Sequence, residues 1–178
     1  MSFKINKKKK VLVTGGTGFI AGWIIKHLVE EGVTVHATVR DPDDKQKVAH
    51  LVELSENNPG EIILFKSDLL ERGSFNAAAN GCNIVVHTAS PFLFKFNDPV
   101  KDLINPAFEG TKNVLEAVNF TDSVKRVVLT SSCAAIYGDA NECEHAPNNT
   151  LTEAIWNNTS SASHQPYSYG KTIAEREA

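Results

Sequence analysis

Three features are scarce in this chain of 178 residues: cysteine, long apolar runs and net charge. Its cysteines, Cys82, Cys133 and Cys143, are odd in number and irregularly spaced, which favours reduced thiols over a disulfide framework. No apolar run approaches the roughly 20 residues of a membrane helix, and the polar start of the chain is unlike a signal-peptide core. A net charge of −3 gives no electrostatic footprint for nucleic acid or an anionic membrane. These absences predict a cytoplasmic protein that acts on small molecules, and they leave its oligomeric state open.

Short apolar runs are the main structural signal, and a hydrophobic content of 42% suits one well-cored domain over residues 1–178. Unbroken runs predict strands buried on both faces. These runs are Val11–Val13, Ile62–Phe65, Ile84–Val86 and Val127–Leu129. After Gly32, a candidate helix C-cap, residues 33–39 alternate as a further strand would. Helical apolar spacing lies between the runs, so right-handed crossovers predict a doubly wound parallel α/β sheet, the Rossmann fold.

A glycine-rich segment, Thr14–Ala21, stands where the first predicted strand ends and the first predicted helix begins. A dinucleotide-binding fingerprint requires this context, because glycines allow a tight turn and a close approach of the backbone to pyrophosphate. Free N–H groups at the positive end of the helix then meet the phosphate charge. The cofactor-binding residues predicted here are Gly15, Thr17, Gly18, Phe19 and Ile20.

Arg40, at the end of the second predicted strand, bears on the choice between NAD and NADP. An acidic residue there would bond the ribose 2′-hydroxyl and repel a 2′-phosphate, whereas a guanidinium pairs with the phosphate. Lys47 can add a second positive charge. Asp41 keeps the acidic alternative one residue away, but the pattern favours NADP(H). Asp68, followed by Leu69, is a candidate for bonding the adenine amino group, or it initiates a turn.

Tyr167 and Lys171 lie four residues apart at the start of a predicted helix over residues 167–177, so their side chains share a face. Hydride delivery to a carbonyl needs a proton for the developing alkoxide, and a tyrosine supplies it if its phenolate is stabilised. A nearby ammonium favours that charged form. Thr130 and Ser132 follow the last predicted strand, at the carboxyl edge where such sheets bind ligands, and a hydroxyl there can polarise the substrate oxygen.

At these motifs the sequence resembles the extended short-chain dehydrogenases, and within them the branch of dihydroflavonol, cinnamoyl-CoA and methylglyoxal reductases. The likeness covers nearly the whole chain. It rests on the segments Val13–Phe19, Thr38–Pro42, Ser67–Leu69, Gly73–Phe75, His87–Pro91, Pro106–Thr111, Arg126–Ser132 and Tyr167–Lys171.

The resemblance implies an NADPH-dependent reductase that transfers hydride to a ketone or aldehyde carbonyl. Its catalytic triad would be Ser132, Tyr167 and Lys171, with the tyrosine as proton donor. The cofactor-binding residues would include Arg40 and Lys47 at the 2′-phosphate, Ala89 and Ser90 on the nicotinamide side, and Thr88, Thr130, Tyr167 and Lys171.

The chain departs from the extended family at two places. Ala107 stands where many members carry asparagine, although this branch commonly lacks it. Members also usually continue well beyond the Tyr-Lys motif into a substrate lobe, so we expect residues up to Ala178 to form only the nucleotide-binding part. Two alternatives stay open: an NAD-dependent nucleotide-sugar epimerase or dehydratase, which Arg40 disfavours, and a non-enzymatic nucleotide sensor, which the Tyr-Lys pair disfavours.

The remaining features of the sequence give weaker signals. Cys82, Cys143 and His145 lack the paired spacing of zinc motifs, so no metal site is predicted. His87 is interpreted as a packed core histidine, and Cys133 as a small buried filler. Residues 139–165 are polar and rich in Asn, Ser and Thr, which predicts a long irregular connection.

Overall fold

The structure, a computed structural model, describes residues 6–93 and 95–178. Its strands are β1 (Lys10–Thr14), β2 (Thr34–Val39), β3 (Glu61–Lys66), β4 (Cys82–His87) and β5 (Arg126–Leu129). Its helices are α1 (Phe19–Glu30), α2 (Lys45–Glu56), α3 (Asn76–Ala79), α4 (Asn105–Asn119) and α5 (Pro166–Glu177). Short helical turns occupy Val100–Ile104, Cys133–Ala135, Ala140–His145 and Pro147–Asn149. None of the helices described is long and apolar enough to cross a membrane.

The five strands form one parallel sheet in the order β3-β2-β1-β4-β5. At its centre, Val11 of β1 pairs with Val35 on one side and with Ile84 on the other. Each predicted strand corresponds to one of these five, although β2 begins at Thr34 rather than at the predicted Val33, so the predicted doubly wound parallel sheet is confirmed. The short helix α3 and the turn Val100–Ile104 had no sequence prediction, because neither is long enough to show a helical period.

Two apolar cores cover opposite faces of the sheet. Val11 and Val13 belong to a cluster with residues of α1 and α2, whereas Leu12 belongs to a cluster with residues of α3 and α4. Successive side chains of a strand point to opposite faces, so three consecutive apolar residues of β1 serve both cores. This two-sided burial explains why the strands read as unbroken apolar runs.

The contacts divide the chain into two compact units. The first extends to Ala89 and resumes over Asn113–Leu129, and it contains the sheet. The second comprises Ser90–Lys112 and Thr130–Ala178, and it contains the short helical turns and α5.

Helix α1 ends at a glycine in the left-handed conformation. Gly32 has φ +78° and its N–H donates to the Val29 carbonyl at 2.9 Å, while the Val33 N–H donates to Leu28 at 3.0 Å. These two hydrogen bonds form a Schellman motif, in which glycine avoids the Cβ clash at positive φ. The predicted helix end at Gly32 is confirmed.

The alternation along β2 does not separate a buried face from a solvent face. His36 and Thr38, the polar members, are only 3% and 2% exposed. His36 Nδ1 donates to the Ala78 carbonyl at 2.7 Å, and burial lowers the pKa of this imidazole. His36 and Thr38 thus each have a hydrogen-bond partner within the protein, the Ala78 carbonyl and the Gly15 N–H, because β2 lies inside the sheet.

The connection between Asp139 and Gln165 is long and irregular, as predicted, with two short helical turns near its start. Its two ends are tied together, because the Gln165 amide donates to Asp139 Oδ1 at 2.6 Å and His164 Nε2 lies 3.1 Å from Asp139 Oδ2. Glu142 Oε1 accepts from the backbone N–H of Asp139 at 2.7 Å and from the Thr159 hydroxyl at 2.6 Å. These side chains form a polar clasp at the base of the loop.

Gly60, just before β3, lies where no side chain fits. Its N–H donates to the Val29 carbonyl at 2.9 Å, and a Cβ built on it would lie 2.5 Å from the Val33 oxygen and 2.6 Å from Val29 Cα. Real Cβ atoms do not approach backbone atoms this closely. Only glycine at this position allows the end of α1 and the start of β3 to lie so close together.

Replacing Gly60 by alanine should lower the free energy of unfolding by about 1–3 kcal/mol, because the crowded atoms belong to the backbone and cannot rotate away. Gly22→Ala is the matched control, since nothing lies within 4 Å of a Cβ built there. This mid-helix change should raise stability by up to about 1 kcal/mol. Urea unfolding of the wild type and both variants tests the pair, and equal losses at the two sites would contradict the close approach at Gly60.

Candidate functional site

The glycine loop of the first unit is anchored to β2 through its backbone. Gly15 N–H donates to Thr38 Oγ1 at 3.2 Å, and Gly16 N–H donates to the Thr38 carbonyl at 2.8 Å. Gly15 has φ +71°, and a Cβ on it would lie 3.1 Å from Ala89. The loop therefore needs glycine at this point for its conformation and for its contact with the residues after β4.

The start of α1 keeps backbone donors for an anion. Gly18 is the N-cap and makes no side-chain capping bond, and the first turn holds no acidic residue. The first-turn N–H groups have no partner within a helix, so they and the positive end of the helix dipole provide an anion site. Thr17, Phe19 and Ile20 are exposed beside it. The predicted glycine-loop residues thus share one turn.

Thr14, the last residue of β1, joins β1 to the segment after β4. Its hydroxyl oxygen accepts from the N–H groups of Thr88 at 3.1 Å and Ala89 at 3.0 Å. The hydroxyl lies 2.8 Å from His87 Nδ1 and, because its oxygen already accepts two N–H groups, it donates a hydrogen bond to that nitrogen. Thr14, His87 and their hydrogen bonds are buried. The interpretation of His87 as a core histidine is confirmed, whereas the bridging role of Thr14 was missed because nothing local marks it.

The charged residues predicted near the cofactor ribose differ in their surroundings. Arg40 is exposed at the end of β2, and no ion pair to it occurs among residues 6–93 and 95–178. Lys47 is paired with Asp44, the N-cap of α2, at 2.9 Å between Nζ and Oδ2. The Lys47 N–H also donates to that carboxylate at 3.2 Å. Of these two cations, Lys47 has an ion-pair partner in the described residues and Arg40 has none, so the charge of Arg40 is more available to a ligand.

Asp68 and Leu69 lie in a hydrogen-bonded loop after β3. Asp68 Oδ1 accepts from the Leu70 N–H at 2.9 Å, which is the turn-initiating arrangement that the sequence left open. Asn113 fixes the far side of this loop, accepting from Gly73 N–H at 2.9 Å and donating to the Glu71 carbonyl at 2.6 Å. Asn113 was missed by sequence reasoning, because its partners lie some forty positions away.

In the second unit, Lys171 of α5 is buried against the segment that follows β5. Lys171 is 7% exposed, and its Nζ donates a hydrogen bond to the Thr130 carbonyl at 2.9 Å. Burial lowers the pKa of this ammonium, and the charge of Glu175 opposes the shift. The predicted proximity of Thr130 and Lys171 is therefore a direct contact.

Ser132 and Tyr167 also belong to the second unit. Ser132 caps the turn Cys133–Ala135, with Oγ accepting from Ala134 N–H at 3.1 Å, and α5 packs on this turn. The Tyr167 ring is half-buried and meets the Phe92 ring edge-on, with centroids 5.3 Å apart. No hydrogen bond joins Ser132, Tyr167 and Lys171 to one another in the described part of the chain. Cys133 is exposed, so its interpretation as a buried filler was wrong: the turn points its side chain outward.

Small residues let α5 approach its neighbours. A Cβ built on Gly170 would lie 3.5 Å from Ile104 Cα and 3.6 Å from the Ala107 side chain. Ala107, which departs from the extended family's asparagine, is buried at this contact. Ser90, also predicted at the cofactor, is half-buried in this unit. Within the described residues, no three His, Cys, Asp or Glu side chains form a metal-binding group.

Comparisons with known proteins match this chain to one family. The model described as the NAD dependent epimerase/dehydratase family matches residues 11–178. A cinnamoyl-CoA reductase from Medicago truncatula is 51% identical over 126 residues, covering 71% of this chain and 38% of the relative. Tetraketide alpha-pyrone reductase 1 from Arabidopsis thaliana is 42% identical over 173 residues, covering 96% of this chain and 52% of the relative.

Solved structures with a similar fold include a reductase. A yeast methylglyoxal/isovaleraldehyde reductase complexed with NADPH superposes with a TM-score of 0.79 at 31% identity, covering 95% of this chain and 51% of the other. The chain thus spans about half the length, or less, of the curated relatives it matches.

Thr14→Val should lower the free energy of unfolding by about 2 kcal/mol, because it leaves the N–H groups of the half-buried Thr88 and Ala89 without their acceptor. Thr14→Ser is the matched control, since it keeps the hydroxyl and removes only a methyl group. Chemical unfolding of the three proteins measures the difference. If serine costs as much as valine, packing rather than hydrogen bonding accounts for the role of Thr14.

Proposed function

This chain belongs to the NAD dependent epimerase/dehydratase family, and on that premise we propose that it is the nucleotide-binding part of an NADPH-dependent reductase of ketone or aldehyde carbonyls. The observation that carries the proposal is Lys171: a buried ammonium held at 2.9 Å by the Thr130 carbonyl, one helical turn after Tyr167. The relatives named as reductases support this reading over an epimerase or dehydratase. We further propose that residues 1–178 fold as one nucleotide-binding domain and that the protein is cytoplasmic.

The residues of the first unit fit a dinucleotide. Gly15 lets the loop turn at positive φ against Ala89, and the first turn of α1 offers backbone N–H groups with no acidic side chain among them. In the proposed complex these N–H groups bind the pyrophosphate. Thr14 holds Thr88 and Ala89, which we propose lie on the nicotinamide side. When bound, NADPH supplies the hydride.

Tyr167 is the proposed proton donor. As negative charge develops on the carbonyl oxygen of the substrate, the phenol transfers its proton to that oxygen. The Lys171 ammonium, close in sequence and on the same helix, stabilises the resulting phenolate by its charge. Ser132 is proposed to donate a hydrogen bond to the same oxygen and so to orient the substrate.

The surroundings of Tyr167 favour an apolar substrate. Phe92 packs edge-on against the tyrosine ring, and both Phe92 and Leu93 are exposed. Exposed aromatic and aliphatic side chains beside a polar group are typical of small-molecule sites. We propose that this surface contacts the part of a small carbonyl compound next to its reacting group.

Tyr167→Phe should lower kcat for carbonyl reduction by about 10²–10⁴-fold while leaving NADPH affinity unchanged, because the phenol acts on proton transfer and not on phosphates. Tyr169→Phe, a half-buried tyrosine on the same helix, is the control and should remain active. The natural gene product is assayed by NADPH oxidation with an aldehyde panel. Near-wild-type activity of Tyr167→Phe would end the proposed mechanism, and tightly retained NAD in the purified protein would favour an epimerase or dehydratase.

Arg40→Ala should weaken NADPH binding by about 10- to 150-fold and NADH binding little, because only NADPH carries the 2′-phosphate that a charged hydrogen bond recognises. Lys45→Ala, which removes an exposed cation from the first turn of α2, is the control. Fluorescence titration of both cofactors against the three proteins measures this. Equal losses for the two cofactors would show that Arg40 does not read the phosphate.

A further inference from the structure

Glu175 lies one helical turn beyond Lys171 on α5, so the carboxylate and the ammonium share a face. Lys171 is 7% exposed, and its Nζ donates a hydrogen bond to the Thr130 carbonyl. A carbonyl oxygen is neutral and does not balance the charge of a buried ammonium. Burial of a cation without a counter-charge favours its neutral form, so this helix face needs a nearby anion if Lys171 is to stay charged.

The Glu175 carboxylate is fixed in place rather than free in solvent. Glu175 is half-buried, and its Oε2 accepts a hydrogen bond from the Ser131 hydroxyl. Ser131 directly follows Thr130, the partner of Lys171. One short segment therefore contacts both charged residues of α5, with a carbonyl oxygen for the ammonium and a hydroxyl for the carboxylate.

The other ionisable groups around α5 are engaged elsewhere. On the packed turn Val100–Ile104, Asp102 Oδ2 accepts two backbone N–H groups, and Lys101 pairs with Asp98 at 3.7 Å. The packed turn Cys133–Ala135 carries only the exposed thiol of Cys133. On α5 itself, Arg176 donates to Asn158 and stacks on Trp156. Tyr167, Tyr169 and the exposed Glu177 are the remaining ionisable groups of the helix.

We propose that Glu175 is a positioning residue, which keeps the Lys171 ammonium charged and is itself held in place by the Ser131 hydroxyl. The direction of the electrostatics agrees, because burial lowers the pKa of Lys171 and Glu175 is the one charge found to raise it. The effect on catalysis rests on the proposed function, since a neutral Lys171 would no longer stabilise the Tyr167 phenolate. The effect on the charge of Lys171 does not depend on that function.

The titration of Lys171 tests the proposal without an enzymatic assay. The natural gene product is labelled with ¹³C at lysine Cε, and the Lys171 signal is assigned by its loss in Lys171→Arg. In Glu175→Gln the titration midpoint should fall by about one pH unit, the order of magnitude for loss of a neighbouring charge in a partly buried site. Glu177→Gln removes the same charge from the exposed end of the same helix and should leave the midpoint unchanged.

Ser131→Ala provides a second variant, with the Glu175 charge retained but its hydrogen bond removed. We expect a smaller fall of the midpoint, because the carboxylate is no longer fixed near the ammonium. An unchanged midpoint in Glu175→Gln overturns the proposal. If Glu175→Gln does not fold, an unchanged midpoint in Ser131→Ala overturns it instead.

If the proposed function also holds, the alkaline limb of the pH profile of kcat/KM for reduction shifts to lower pH in Glu175→Gln, in parallel with the Lys171 titration. A shifted titration with no reductase activity in the wild type would reject the function and keep the proposed role of Glu175.

Discussion

Burial of the central strands on both faces forces their polar ends to find partners within the protein, and two threonines meet this requirement. Thr14 is the last residue of β1 and Thr38 the next-to-last residue of the neighbouring β2, and both are almost fully buried. Thr14 accepts from the segment after β4, while Thr38 accepts from the glycine loop. A buried N–H without an acceptor is costly, so these side chains fix the backbone of both loops. The rigid carboxyl edge of the sheet follows from these contacts.

The second unit contains a buried cation, Lys171, whose charge has to be stabilised within the protein. Lys171 gains a carbonyl partner at Thr130 and a neighbouring carboxylate at Glu175, and the adjacent residues Thr130 and Ser131 contact the two charges. The arrangement differs from a direct salt bridge, since no contact between the two charges within ion-pair distance occurs in the described residues. A carboxylate that lies near the ammonium without contacting it raises the proton affinity of the lysine and forms no tight ion pair with it.

Much of this arrangement could be predicted from the sequence, because its signals are local. Four apolar runs and one alternating segment located the five strands, the Tyr167–Lys171 spacing predicted a shared helix face, and Gly32 marked the end of α1. The roles of Thr14, Asn113 and Gly60 could not be predicted, since each depends on residues brought close only by the fold. Cys133 was placed wrongly for the same reason: a residue beside a strand end is buried or exposed according to the turn that follows.

The clasp between Asp139 and the residues at 164 and 165 separates the loop from the helix that begins beside it. Because the two ends of the loop are joined by side chains, the start of α5 is tied directly to Asp139. The entropy of closing a loop rises slowly with its length, by about 0.6 kcal/mol for each doubling. Insertions at the exposed residues of this loop that make no contact with α5 are therefore inexpensive for the fold. Such positions can alter the surface beside the Tyr-Lys helix while that helix keeps its place.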